Sequence, residues 1–375
     1  MDFEKITEYL ESLKQRQIPC ADCIITQNHQ VIYRHMFGTS DALMAKPLQG
    51  NEKYLMFSMT KIQTMTAFMQ LVEQGKISLD DNVADYLPAF GKLTVEKDGR
   101  VEPLNTPMKI WHLLSMQSGL DYDLQRPGIV RVLKERGMQA TTREIVDSFT
   151  ESPLKFVPGE HFMYSLSHDV AAAIIEVVSG MSFGEYLKKN IWEPLGMTNT
   201  RFAKPMNDDV KDLVQQYILD DTGKVVTMEQ SCNYQLSEAY ESGGAGLMSC
   251  TEDYAIFGDM IACGGVGRNG ARILKPETID VIKTNLLGEN GKKDVALTMG
   301  RVGYGYGCGM QILLDPDAIN SKAAKGIFGW DGAAASMITM DTASGISIVF
   351  ITHVRNCGYA YSEIHPALRD LVFAL

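Results

Sequence analysis

Phe57-Ser58-Met59-Thr60-Lys61 places a serine and a lysine three residues apart, and the residues after it continue one pattern. Met59, Ile62, Met65, Phe68, Met69 and Val72 recur at helical spacing, and Gly75 is a natural stop. Residues i and i+3 of a helix share a face, so the Lys61 amine comes within reach of the Ser58 hydroxyl. A serine becomes a nucleophile only when a neighbour takes its proton, and a lysine kept uncharged by burial can do so. On spacing alone a helix N-cap is the commoner reading of such a serine. The same spacing recurs at Ser152 and Lys155, but Pro153 and Pro158 favour an extended chain there, and without a helix the geometry fails.

Around this stretch the 375 residues form an ordinary globular composition, 45% hydrophobic and 22% charged. A net charge of −11 argues against a nucleic-acid partner, which needs a basic face. No apolar run approaches the roughly 18 residues that cross a bilayer, so no membrane partner is expected. Met1-Asp2-Phe3-Glu4-Lys5 lacks the plan of a signal peptide, and seven scattered cysteines suit reduced thiols, so a cytoplasmic location is expected. Cys20-Ala21-Asp22-Cys23 has redox spacing but leads into a strand rather than a helix. No His or Cys grouping suggests a metal, and no cofactor is expected.

The start reads as a helix followed by strands at Ala21–Thr26 and Val31–Phe37, with Asn28-His29 making the turn. Residues 79–286 read mostly as helices. The last quarter returns to strands at Gly303–Leu314, Gly326–Trp330, Ser336–Asp341 and Ile346–His353, then a helix from Ser362 to Leu375. The expected fold is α/β (α+β): an antiparallel sheet built from both termini, flanked by helices, with a mainly helical region inserted. The expected division is a sheet domain of 1–78 and 290–375 around a helical domain of 79–289.

Gly180-Met181-Ser182-Phe183-Gly184 matches a nucleophile elbow, which requires a strand before it. The Ala-rich segment before it reads as a helix, and Ser182 with Glu185 reads as a capping box. A lysine base benefits from a second titratable group, and Tyr164 is the best placed, just before a helix capped by Ser167. A neighbouring lysine would lower its pKa. A buried core tyrosine is the competing reading. Gly329-Trp330-Asp331-Gly332-Ala333-Ala334-Ala335 is a strand whose small residues allow close approach to a ligand. The backbone N–H groups of Ser58 and Ala333 could together hold an oxyanion.

In this order the pieces resemble the penicillin-recognising serine hydrolases, nearest the class C β-lactamase and family VIII carboxylesterase branch. Ser58-Met59-Thr60-Lys61 looks like the first family motif, Tyr164-Ser165-Leu166 the Tyr-x-Asn motif, and Trp330-Asp331-Gly332 the Lys-Thr-Gly motif. Ser118-Gly119-Leu120 and Ser242-Gly243-Gly244 are also family-like. The resemblance implies Ser58 as nucleophile, Lys61 and Tyr164 as the base pair, and Ser58 and Ala333 as oxyanion donors. It implies the β-lactamase/transpeptidase-like fold and a small ester or amide substrate.

Two departures weigh towards esters. Leu166 replaces the motif asparagine, and Trp330 replaces the motif lysine, so an apolar wall is expected where lactam-processing relatives hold a cation. Restoring lysine at 330 should then aid lactam turnover. His353 and Arg355 are candidates to supply the missing positive charge. β-lactamase, DD-peptidase, amidase and acyltransferase activities remain alternatives on the same residues.

Overall fold

The computed structural model describes residues 3–204, 213–231 and 234–374. Its centre is a seven-stranded antiparallel sheet whose spatial order is Tyr304–Tyr306, Gln311–Leu313, Phe328–Gly332, Ser336–Asp341, Ile346–Ile351, Cys20–Gln27 and Gln30–Gly38. The two ends of the chain meet inside it, with Asp22 opposite Ile351 and Gln27 opposite Ile346. The stretch 303–314, read as one strand, is a hairpin, because the glycines at 305, 307 and 309 leave Gly307–Gly309 to turn. Asn28 and His29 make the first turn at φ 49° and 70°, the left-handed pair that tight hairpins require. Asp259 clamps that turn by accepting from the His29 backbone N–H at 2.9 Å and meeting its ring Nδ1 at 2.8 Å.

Strand alternation sorts side chains to two faces. Cys23, Ile25, Ile348 and Phe350 pack with Ile6 and Leu10 of the first helix (α1, Glu4–Ser12) and Leu368 of the last (His365–Phe373). Cys20 and Ile24 face the other core, so the two cysteines lie on opposite sides of the sheet and do not form a redox pair. On that second face helix Thr251–Ala262 crosses the sheet. A Cβ on its Gly258 would come 2.2 Å from Ser347 Oγ, so only glycine permits this approach.

A one-turn 3-10 helix, Phe57–Met59, leads into α2, Thr60–Glu73. The apolar stripe understates the burial of α2, which is enclosed on all sides from Thr60 to Leu71. Its polar side chains are accommodated by specific partners: Thr64 donates to the Gly243 carbonyl at 2.6 Å, and Gln63 accepts from Trp192 Nε1 at 2.6 Å. The inserted region carries the helices Ile110–Leu114, Thr142–Asp147, Ser167–Ser179 and Pro276–Ile282. It also holds an unforeseen hairpin, Thr94–Lys97 with Arg100–Pro103, and just after the region comes a helix, Glu289–Met299, whose polar sequence hid it. The terminal helix is preceded by a π-turn at Ala360–Ile364, and Leu375 lies outside the described residues. Among the described residues no single helix is long and apolar enough to cross a membrane.

Candidate active site

Ser58 sits in the turn that opens α2, and Phe57 before it holds φ +46°, a conformation that costs a residue with a Cβ about 1–2 kcal/mol. The strain persists because Phe57 is buried against Leu55, Met248 and Ala334 and meets Tyr234 edge to face. One turn on, Lys61 is fully buried. Its Nζ lies 3.3 Å from Ser58 Oγ, 3.4 Å from Tyr122 Oη and 2.7 Å from the Gly244 carbonyl. Burial pushes the amine down to about 7, against an opposing pull from Asp169. An amine in that state is free to accept a proton near neutrality.

Tyr164 lies in the extended segment before helix Ser167–Ser179. Its ring stacks on Tyr122 with centroids 5.5 Å apart, and its hydroxyl accepts from Trp330 Nε1 at 3.1 Å. The expected fall of its pKa is corrected. Burial raises the hydroxyl above its ordinary value, although hydrogen bonds with Ser58 and Trp330 pull it down. The physical reason is that burial of the hydroxyl outweighs its hydrogen bonds, while the lysine amine sits over the ring face, 4.5 Å from its centroid, rather than beside the hydroxyl. Ser167 does not cap the helix. Leu166 occupies the N-cap position, while the Ser167 hydroxyl lies 2.7 Å from that of Ser118 and 2.8 Å from that of Ser165.

A cleft of about 280 Å³ opens beside Ser58, lined by Tyr164, Met299, Arg301, Trp330, Gly332 and Ala333, among others. Trp330 is only 4% exposed, held between Tyr164 and the edge-on ring of Tyr306. Ala333 lies in the turn after strand Phe328–Gly332, not on the strand as expected, because the hairpin to Ser336–Asp341 begins at that residue. Leu166 does not reach the cleft; its side chain belongs to the main core. His353 is corrected as a source of charge. It is buried between the Leu55 N–H at 3.3 Å and the Val214 carbonyl at 2.8 Å, and burial lowers it to about 4. Arg355 stacks on Phe57, 4.9 Å from its ring centroid, and does not line the cleft. The cation that does is Arg301, from the loop after Glu289–Met299, and it is paired with Asp331. Burial works to raise the Asp331 carboxyl, but Arg301 and His365 hold it below its ordinary value.

Among the other serine candidates, Ser182 caps helix Phe183–Leu187 through Glu185, and Ser152 lies in extended chain. Tyr122, Asp169 and Arg301 carried no signal of their own. Tyr122 follows Ser118-Gly119-Leu120, where Gly119 turns the chain at φ +82°.

A serine beside a buried lysine, packed against a central strand of an antiparallel sheet joined by both chain ends, defines a serine hydrolase of the β-lactamase/transpeptidase-like class. The chain belongs to the beta-lactamase family, whose model matches residues 4–358. It is similar to esterase EstB of Burkholderia gladioli, 28% identical over 97% of this chain and 93% of that one. It is also similar to acyltransferase calJ of Penicillium decumbens, 28% identical over 81% of this chain and 76% of that one. Among solved structures it resembles EstCE1, described as a hydrolase with promiscuous acyltransferase activity. That match has a TM-score of 0.79 and 25% identity, over 99% of this chain and 97% of that one.

Proposed function

We propose that the protein is a carboxylesterase working through an acyl-enzyme on Ser58. The observation that carries this reading is the buried Lys61 amine 3.3 Å from Ser58 Oγ. Lys61, with Tyr164 beside it, takes the hydroxyl proton as Oγ attacks the ester carbonyl. The carbonyl electron pair moves onto oxygen, where the backbone N–H groups of Ser58 and Ala333 hold it. Collapse breaks the ester C–O bond, and the alcohol leaves with the proton returned from the Lys61–Tyr164 pair. Water then repeats the sequence on the acyl-enzyme.

Three features support esters over lactams. The cleft wall at position 330 is an indole, the adjacent cation Arg301 is already paired with Asp331, and the named relatives EstB and EstCE1 are an esterase and a hydrolase. Acyl transfer to an alcohol larger than water is the second reading, favoured by the likeness to calJ and EstCE1.

Intact-protein mass spectrometry with p-nitrophenyl esters and, separately, a cephalosporin tests the proposal. The expected result is rapid ester turnover, little or no lactam turnover, and any adduct on Ser58. Full activity in Ser58→Ala would sink it. Adding an alcohol and measuring its ester against free acid separates hydrolysis from transfer.

A further inference from the structure

Asp169 occupies the first turn of helix Ser167–Ser179 and is fully buried. One carboxylate oxygen, Oδ1, accepts from Tyr240 Oη at 2.7 Å, Ser242 Oγ at 2.7 Å and the Gly244 N–H at 3.4 Å. Those bonds explain how Asp169 holds the 240–244 loop. They do not explain the other oxygen, Oδ2, which has no hydrogen-bond partner among the described residues. A buried carboxylate oxygen without a donor is costly, so its orientation calls for a compensating role.

Gly244 shows where Oδ2 points. A Cβ on that glycine would meet Asp169 Oδ2 at 2.7 Å, Tyr122 Oη at 3.2 Å and Lys61 Nζ at 3.4 Å. The three polar atoms converge on the space that the missing side chain leaves. The carboxylate and the amine are therefore no further apart than the sum of the first and last distances. Gly244 also accepts directly from Lys61.

We propose that Asp169 is a positioning residue for the reaction, its carboxylate stabilising the ammonium that forms on Lys61 when Ser58 is deprotonated, across a gap kept open by Gly244. This rests on the reading of Lys61 as the base. The balance is simple. The proton leaves Ser58 Oγ as the Oγ–acyl bond forms, Lys61 becomes a cation, and the same proton departs with the alcohol. During that interval the cation is shut away from water, and the groups facing it are few. Ser58, the rings of Tyr122 and Tyr164, and the Gly244 carbonyl are uncharged. His168, from the same helix as Asp169, is held neutral: burial, then Lys61 itself, lower it to about 3. Among the described residues Asp169 is the one anion acting on Lys61, and it opposes the desolvation that lowers the amine. The logic is that of an aspartate behind a catalytic histidine, with a lysine in the middle place.

The test is the pH profile of kcat and kcat/KM for a p-nitrophenyl ester in wild type, Asp169→Asn and Gly244→Ala, with mass spectrometry of the Ser58 adduct. Removing the anion makes Lys61 easier to deprotonate but harder to protonate in the transition state. In Asp169→Asn the acid limb should move down by about one pH unit or more. The plateau kcat should fall about tenfold or more while KM changes less than about threefold. Gly244→Ala, which keeps the carboxylate but crowds it away, should shift both in the same direction by less. If Asp169→Asn does not fold, as judged by its melt, Gly244→Ala decides. An unmoved acid limb in the folded variants overturns the role of Asp169 while Ser58 acylation in wild type stands. A wild type that forms no adduct on Ser58 overturns the esterase reading and this proposal together.

Discussion

The Trp330 indole N–H donates to the Tyr164 hydroxyl at 3.1 Å, tying a central strand of the sheet to the segment that precedes helix Ser167–Ser179. The bond fixes the hydroxyl beside Ser58. Trp330→Phe removes the donor and keeps an aromatic wall. One such bond is worth about 1 kcal/mol, so kcat/KM for a short ester should fall about fivefold with little change in Tm. Steady-state kinetics and a thermal melt read both.

The burial of Trp330 reverses an expectation from the sequence. Lysine at 330 would lose the contacts with Tyr164 and Tyr306, at about 3–5 kcal/mol for a large aromatic, and would place a charge where only 4% of the side chain meets water. Trp330→Lys should therefore melt far below wild type and gain no cephalosporin turnover. A folded variant with raised lactam turnover would refute this.

Lys61 is held near 7 in the fold, whereas an unfolded lysine titrates near 10.5. Between those values the unfolded chain binds the extra proton, so stability from this group rises with pH across that window. Lys61→Met lacks the term. Wild type should gain stability relative to Lys61→Met by up to about 1.4 kcal/mol per pH unit from pH 7 upward, measured by urea unfolding. Ester turnover in the variant should fall to background.

Burial lowers His112 and His353 to about 4, and His168 to about 3. Unfolded histidines protonate near 6.5, so stability is lost as pH falls below that value towards 4. Three protons correspond to about 4 kcal/mol per pH unit in that interval. His353→Gln should remove about a third of the slope in urea midpoints measured from pH 6 to pH 4.

Gly258 lets helix Thr251–Ala262 lie against the sheet. Gly258→Ala drives a Cβ into Ser347 Oγ and to 2.9 Å from Ile338 Cδ1, and should cost about 1–3 kcal/mol. Adding Ser347→Ala removes the nearer obstacle and should restore part of the loss, which a double-mutant cycle measures.

Met299 borders the cleft at the end of helix Glu289–Met299. Met299→Trp fills part of about 280 Å³. Hydrolysis of p-nitrophenyl octanoate should drop about tenfold relative to the acetate. An unchanged chain-length preference would place the acyl group elsewhere.

Much of this was legible in local pattern. The start of α2, the Asn28-His29 turn and the two halves of the sheet are written in spacings a few residues long. The surroundings of Lys61 were not. Tyr122, Asp169 and Gly244 come from three separate segments, and although Ser118-Gly119-Leu120 and Ser242-Gly243-Gly244 are family-like, no local pattern announces that the three residues share a point in space. The sign of the Tyr164 shift was misjudged for the same reason, since burial is a property of the assembled core. Helix Glu289–Met299 escaped notice because Glu-Asn-Gly-Lys-Lys-Asp has almost no apolar stripe, and packing of Gly291 and Val295 holds it instead.

The pairing of Asp22 with Ile351 sets a timetable for synthesis. Strand Cys20–Gln27 has one neighbour, Gln30–Gly38, until more than three hundred further residues have followed it. Its other edge must stay unmatched for that whole interval, a long-range closure that is slow and exposed to aggregation. Ser58 is made well before Trp330, so a nascent chain carries the serine long before it carries the wall of its cleft. Premature chemistry is thereby withheld until the strand that carries Trp330 has been made, and chaperone dependence during translation is the expected consequence.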